Sequence, residues 1–256
     1  MTPDAQKLDL DAVNAELAGR SPAEILKWAA DTFGPRLAVQ SSMQKSAGML
    51  MHLISRIAPA TEVVFIDTGV HFPETLALRD EFIRRFGVNI RTYAPARSFD
   101  EQRADFGREL HLFDGDTDPP GYQKCCELRK EVPYIAAVRG RFDAVVGGLM
   151  RGEGGARSDV RVVSWDPRIE AFKVYPLAFV SEAEVDAYHA ANDLPVHPLY
   201  AKGYASIGCS VCTTPIRPGE SKRAGRWRHI REANPELAGR DLYCGINLDD
   251  KKKTAG

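Results

Sequence analysis

The chain has 256 residues, 44% hydrophobic and 27% charged, with 34 Lys and Arg set against 35 Asp and Glu. That length and apolar share suit one sizeable domain, or one domain with a small appendage, and exclude a globally disordered chain. A net charge of −1 excludes nucleic-acid binding through an overall positive field, and no apolar run approaches the ~18 residues that span a bilayer. The first twenty residues are acidic and lack the basic-then-apolar order of a signal peptide, so a soluble cytoplasmic protein is expected, with neither membrane nor nucleic acid among its partners.

In chain order, Leu10, Val13 and Leu17 carry helical spacing, and Ser21-Pro22-Ala23-Glu24 opens a second helix with a capping box. Leu37-Ala38-Val39 reads as a short buried strand, followed by the polar loop Gln40–Ser46 and an apolar helix over Ala47–Ile57. Strand, small polar loop and helix together present helix N–H groups to an anion. The pattern repeats with the strand Glu62–Ile66, the loop Asp67-Thr68-Gly69 and a helix running to Phe86. A strand over Gly87–Tyr93, a helix over 125–139 and a strand over Ala144–Gly148 complete the series. Alternating strands and helices predict an α/β fold with a doubly wound, mostly parallel sheet that binds ligands beyond the carboxyl ends of its strands. From Gly203 on, periodicity fades and an irregular appendage is expected. The chain is thus read as an α/β domain over 1–236 and a mobile C-terminal tail over 237–256.

Five cysteines do not make a disulfide framework, because one is left over. They fall into a vicinal pair, Cys125-Cys126, a C-x-x-C pair, Cys209 and Cys212, and the singleton Cys244. Four thiolates suit tetrahedral zinc or an iron–sulfur cluster, and a C-x-x-C turn alone suits a redox pair equally well. Neighbouring side chains on a helix diverge by ~100°, which is awkward for one small ion and easier for a cluster with several irons, so 4Fe-4S is favoured over zinc. Cys244 reads either as a buried small hydrophobe or as a nucleophile whose thiolate is favoured by nearby cations, for which Lys222-Arg223-Ala224-Gly225-Arg226-Trp227-Arg228 supplies candidates.

Six motifs occur together and in order: Asp67-Thr68-Gly69 with Phe72-Pro73-Glu74-Thr75; Cys125-Cys126 with Arg129-Lys130; Lys173 with Pro176-Leu177; Gly203–Gly208; Cys209-x-x-Cys212; and Arg223-Ala224-Gly225-Arg226-Trp227. In this combination the chain, from about Leu37 to Asn247, resembles the sulfonucleotide reductases, the assimilatory adenylyl-sulfate and phosphoadenylyl-sulfate reductases. The resemblance implies an adenine nucleotide alpha hydrolase-like, PP-loop-type fold. It also implies a thiol at Cys244 that attacks the sulfur of adenosine 5′-phosphosulfate, releasing AMP and leaving an S-sulfocysteine. A thioredoxin or glutaredoxin thiol then releases sulfite, in assimilatory sulfate reduction. The four cysteines mark the branch that carries a 4Fe-4S cluster and generally takes adenylyl sulfate.

Negative charge builds on the leaving phosphate during such a transfer, so cationic donors aimed at its oxygens lower the barrier. Lys130, Arg223 and Arg226 match the anion-binding positions. Ser41 and Ser42 are candidate donors at the first strand's end, and Asp67, Thr68, Gly69 and Gly148 sit at strand ends where a nucleotide would lie. His71 reads as a loop histidine with local hydrogen bonds. Two departures stand out: Tyr243 precedes Cys244 where the family has Glu, and Asn247 stands where it has His. The Arg-rich run after the glycines is reduced to Met150-Arg151-Gly152-Glu153, one anion-binding arginine fewer, with Arg151 and Arg157 remaining and Arg151 the candidate substrate-binding cation. Three other readings stay open: reduction of the 3′-phosphorylated nucleotide, ATP-dependent sulfuration of nucleic acid on a PP-loop fold, and a cluster-based redox sensor. Oligomeric state is open between monomer and homo-oligomer.

Overall fold

The structure, a computed structural model, describes residues 8–112, 121–154, 157–237, 242 and 246. It divides into two compact units: one formed by the chain up to Phe65 with Leu78–Thr92 and Ile135–Val196, the other by Ile66–Ala77, Tyr93–Tyr134 and the chain from His197 on.

The first unit is built on a six-stranded sheet of β1 (Leu37–Ser41), β2 (Glu62–Ile66), β3 (Ile90–Tyr93), β4 (Ala144–Val146), β5 (Val163–Asp166) and β6 (Ala171–Val174), in the order β3-β2-β1-β4-β6-β5. β1 pairs parallel with β2 (Val39 beside Val63) and with β4 (Ala38 beside Val145), and β4 pairs parallel with β6. β5 closes the edge antiparallel to β6, with Trp165 beside Phe172 and their rings edge-on at 5.0 Å. Leu37, Ala38 and Val39 are essentially unexposed, as expected of a central strand covered on both faces.

The helices α1 (Leu10–Leu17), α2 (Pro22–Phe33), α3 (Lys45–Ile57) and α4 (Pro73–Phe86) alternate with the early strands. α2 starts as its sequence dictates, with Ser21 and Glu24 exchanging a capping box. α3 is buried on nearly every side, and an added Cβ at Gly48 would come within about 3.0–3.2 Å of the rings of His189 and Phe82. β1 and β4 lie at the point where strand order reverses, and their carboxyl ends lead into Ser41-Ser42 and Gly147-Gly148. That is where a doubly wound sheet binds its ligand.

The second unit contains α5 (Phe99–Phe106), α6 (Gly121–Cys126), and α9 (Arg228–Ala233); α7 (Val132–Val138) and α8 (Glu182–Ala191) complete the helices. Two expectations are corrected here. The helix expected over 125–139 is not one regular helix: α6 passes through a π turn, Glu127–Glu131, into α7, with the Val132 N–H reaching back five residues to the Glu127 carbonyl. Pro133 gives the reason. Its ring has no N–H for the Arg129 carbonyl four residues back and would collide with it, so the turn widens. The chain after Gly203 is irregular, as expected, but it is not an appendage lacking a core. Cys209, Cys212, Trp227, Ile230 and Leu242 are buried together with Tyr122 and Cys126. Its apolar residues follow no helical or strand period because short 3-10 turns and loops carry them inward. β5, β6, α5 and α8 add to the elements expected from the sequence. No helix among the described residues is long and apolar enough to cross a membrane.

Candidate active site: a cavity lined by four cysteines

The second unit brings its four described cysteines to one cavity. Cys125 and Cys126 end α6, and Cys209 and Cys212 bracket the 3-10 turn Ser210–Cys212; all four are buried, free thiols lining the same space. Local bonding fixes the second pair. The Cys212 N–H and the Thr213 hydroxyl both donate to the Cys209 carbonyl, at 3.0 and 2.8 Å, and the Ser210 N–H donates to the Val70 carbonyl at 2.8 Å. His71 bridges Cys209 through backbone, while its Nε2–H donates to the Ile66 carbonyl at 3.0 Å, which makes it a local structural histidine.

Three cationic side chains line the cavity with the thiols: Arg129, Lys130 and Arg226, each at most 7% exposed. Arg129 and Lys130 sit on the π turn, so the widened turn places them on the cysteine side together with Cys126. Arg129 is held by a donation from Nε to the Thr68 carbonyl at 2.5 Å and by packing over the Phe99 ring, 5.4 Å from its centroid. The Arg226 guanidinium carbon sits over Trp227, 4.6 Å from the ring centroid, and an added Cβ at Gly208 would fall 2.3–2.5 Å from its guanidinium atoms. Trp227 is 1% exposed and adopts a left-handed backbone conformation, φ 50°, rare for a bulky residue. The turn before it requires glycine at 225, where a Cβ would meet the Thr214 carbonyl oxygen at 2.1 Å.

Burial pushes the Cys212 thiol up to about 12, with Cys209 adding to the rise and Lys130 and Arg226 opposing it. Burial also raises Cys125, opposed by a hydrogen bond from Gln102, and lowers Arg129. A thiol held so far from ionisation as Cys212 is a poor nucleophile, and a soft metal binds thiols by displacing their protons. The donor chemistry therefore fits a thiolate-ligated metal group beside compensating cations. Among the described residues no group of three or more His, Cys, Asp or Glu side chains is arranged to hold a metal ion.

The remaining candidates fall as follows. Asp67 accepts the Gly69 N–H at 2.8 Å, and Thr68, 1% exposed, places its hydroxyl 3.3 Å from the Cys209 sulfur. A Cβ at Gly69 (φ 72°) would be 2.9 Å from Arg129, so this loop and Arg129 are fitted to each other. Arg223 does not line the cavity; it donates to the Leu242 carbonyl at 3.3 Å. Ser41, Ser42, Gly148 and Arg151 belong to the first unit. Ser41 is buried and accepts the Met43 N–H at 3.2 Å, Ser42 is exposed, and a Cβ at Gly148 would be 2.9 Å from the Ser46 hydroxyl. Arg151 donates to the Val160 carbonyl at 2.8 Å and stacks over Phe179, 4.3 Å from its centroid. Cys244, Tyr243 and Asn247 lie outside the described residues. Leu242, two positions before Cys244, is buried in the same cluster as Cys126, Cys209 and Cys212. Sequence reasoning did not select Arg129 or Gln102 as site residues. Adjacency to Lys130 was a signal for the first; a lone glutamine on a short charged helix gave none for the second.

Residues 36–215 match the phosphoadenosine phosphosulfate reductase domain. The chain belongs to this reductase family. Among curated relatives, the adenosine 5′-phosphosulfate reductase of Streptomyces coelicolor is 39% identical over 226 residues, covering 88% of this chain and 92% of its own. That of Mycolicibacterium smegmatis is 37% identical over 234 residues, covering 91% of each. Among solved structures, the phosphoadenylyl-sulfate reductase of Candida auris superposes with a TM-score of 0.68 at 27% identity, covering 80% of this chain and 96% of that one. The parallel sheet and its strand-order reversal are thus those of a nucleotide-binding reductase fold, as the sequence pattern predicted.

Proposed function

We propose that the protein reduces adenosine 5′-phosphosulfate to sulfite and AMP in assimilatory sulfate reduction, acting as a thiol-dependent oxidoreductase. The observation that carries this reading is the cavity of four buried thiols and three buried cations, in a family member whose near relatives are named adenosine 5′-phosphosulfate reductase. Cys244 is the nucleophile. Its thiolate forms a bond to the sulfate sulfur, the bond from that sulfur to the bridging phosphate oxygen breaks, and AMP leaves with the electron pair. The resulting S-sulfocysteine accepts attack at its own sulfur by a thiol of thioredoxin or glutaredoxin. Sulfite departs with the pair, and the partner's second thiol closes a disulfide that regenerates Cys244.

Cys125, Cys126, Cys209 and Cys212 would hold a 4Fe-4S cluster, which supplies a fixed block of charge and covalent structure at the base of the site. Lys130 and Arg226 balance that charge and direct positive potential toward the phosphosulfate. In the first unit Ser41, Ser42, Gly148 and Arg151 are assigned to nucleotide binding; in the second, Asp67, Thr68, Gly69 and Arg223 are assigned to the same role. Support for Cys244 in this role is its place in the sequence, two residues after Leu242, which is buried with Cys126, Cys209 and Cys212.

The test supplies anaerobically purified protein with thioredoxin and either nucleotide. Sulfite and AMP in equal amounts from adenylyl sulfate, at a rate well above that from its 3′-phosphorylated form, are expected. Pyrophosphate release from ATP without sulfite from either nucleotide would overturn the reading in favour of a PP-loop sulfuration enzyme.

A further inference from the structure

α5 is a short charged helix, and Gln102 is its one buried residue, 4% exposed. A buried amide is costly unless both ends are bonded, and here both are. Its Nε2 donates to the Cys125 sulfur at 3.6 Å, and its Oε1 accepts from Arg129 Nη1 at 3.3 Å. The amide has only one workable orientation: a guanidinium can only donate, so the oxygen faces Arg129 and the NH₂ must face the sulfur. Arg129 is fixed in turn by the Thr68 carbonyl, the Arg97 carbonyl at 3.3 Å and the face of Phe99.

We infer that Gln102 is a positioning residue of the cysteine site, holding a permanent N–H···S donation onto Cys125 and tying that sulfur through Arg129 to the Asp67-Thr68-Gly69 loop. The inference rests on the reading above that the cysteines ligate an iron–sulfur cluster. A thiolate ligand that receives an N–H gives up charge density to the donor. Its bond to iron weakens and the reduced state is favoured. Arg129 enforces this donation by making the opposite amide orientation unbondable, a task no apolar residue at 102 could serve.

The test uses the full chain, reconstituted anaerobically, with iron and acid-labile sulfide measured beside the resonance Raman spectrum of the oxidised cluster. Gln102→Leu removes both bonds. Gln102→Glu keeps an acceptor for Arg129 but, as a carboxylate, has no N–H for the sulfur. Both variants are expected to retain wild-type iron and sulfide, to shift an iron–thiolate stretch to higher frequency, and to titrate at a lower midpoint potential. Should Gln102→Leu fail to hold iron, the nearly isosteric Gln102→Glu carries the comparison. Intact clusters with unmoved bands and potentials would overturn the inference while leaving the cluster reading standing. A wild-type protein without acid-labile sulfide would overturn both.

Discussion

At the scale of single residues, the cysteine site is organised by what small residues permit. Gly208 has no positive φ that would bar a side chain, yet a methyl group there would lie within 2.5 Å of the Arg226 guanidinium. Gly208→Ala should therefore displace Arg226 without disturbing the backbone. Losing a charge-assisted bond to an anion costs about 1.5–3 kcal/mol, so kcat/KM for adenylyl sulfate should fall roughly ten- to a hundred-fold. Arg226→Ala should show a matching loss, and the double variant little further loss, because both act on one contact. A wild-type kcat/KM in Gly208→Ala would remove Arg226 from the anion site. The same scale explains what was legible beforehand. The cysteines announce themselves by residue type and spacing, and Lys130 and Arg226 by their place in the motifs that carry the family resemblance. Gln102 does not, because its role depends on a sulfur 23 positions away and an arginine 27 positions away. The motif assigns Arg223 to the anion site, and in the structure its guanidinium donates to the Leu242 carbonyl at 3.3 Å.

At the scale of elements, the π turn Glu127–Glu131 carries Arg129 and Lys130 to the cavity that Cys125 and Cys126, at the end of the regular helix α6, also line. In a regular helix Cys125 and Cys126 point ~100° apart, and Arg129 and Lys130 do likewise. Both pairs line one cavity, and the second of them sits on the wide turn. The sequence carried the signal in Pro133, whose effect falls on the carbonyl four residues earlier, so the interruption shows at 129 and not at the proline. Pro133→Ala should let the helix run through in register. The melting temperature should hold or rise, since proline in a helix interior costs about 3 kcal/mol. Activity should drop at least about ten-fold as Arg129 and Lys130 rotate off the site, an estimate from the loss of one charge-assisted contact. Unaltered activity with a higher melting temperature would show that the wide turn is dispensable. The strands β1, β2 and β4 were readable because each is a short β-branched or apolar run ending in polar or glycine residues. β5 and β6 were not, because Val163–Val174 mixes charged and apolar residues without either period.

At the scale of the molecule, the near-zero net charge conceals buried groups that resist protonation. His52, His111, His189 and His197 are all held below the usual histidine range, chiefly by burial. His197 needs a neutral ring, because its Nδ1 accepts the Leu199 N–H while Nε2 pairs with the Thr75 hydroxyl at 2.9 Å. His189 Nε2–H donates to the Lys45 carbonyl at 2.8 Å, and its buried Nδ1 has no acceptor among the described residues to receive a second proton's bond. Below pH 6.5 the unfolded chain binds protons that the folded chain refuses, so folding stability falls as pH drops. The slope is about 1.4 kcal/mol per pH unit for each proton withheld. Denaturant midpoints should therefore decline steadily from pH ~7 to pH ~5, and His197→Asn should flatten the decline. A midpoint constant across that range would contradict the assignment of neutral buried rings.

The whole-molecule fold followed from the alternation of strands and helices, and the motifs carried the family. What the sequence underrated was the chain beyond Gly203, whose aperiodic stretch holds Cys209 and Cys212, two of the four buried cysteines, and the core around them. The division of labour among five cysteines, four buried and one nucleophilic, remains the central claim. Its most direct test is mass spectrometry of the anaerobically purified protein after incubation with adenylyl sulfate and no reductant. A sulfite-sized mass increase on the peptide containing Cys244, absent from Cys244→Ser and removed by thioredoxin, is the expected result. Wild-type protein that releases AMP without any such adduct would contradict it.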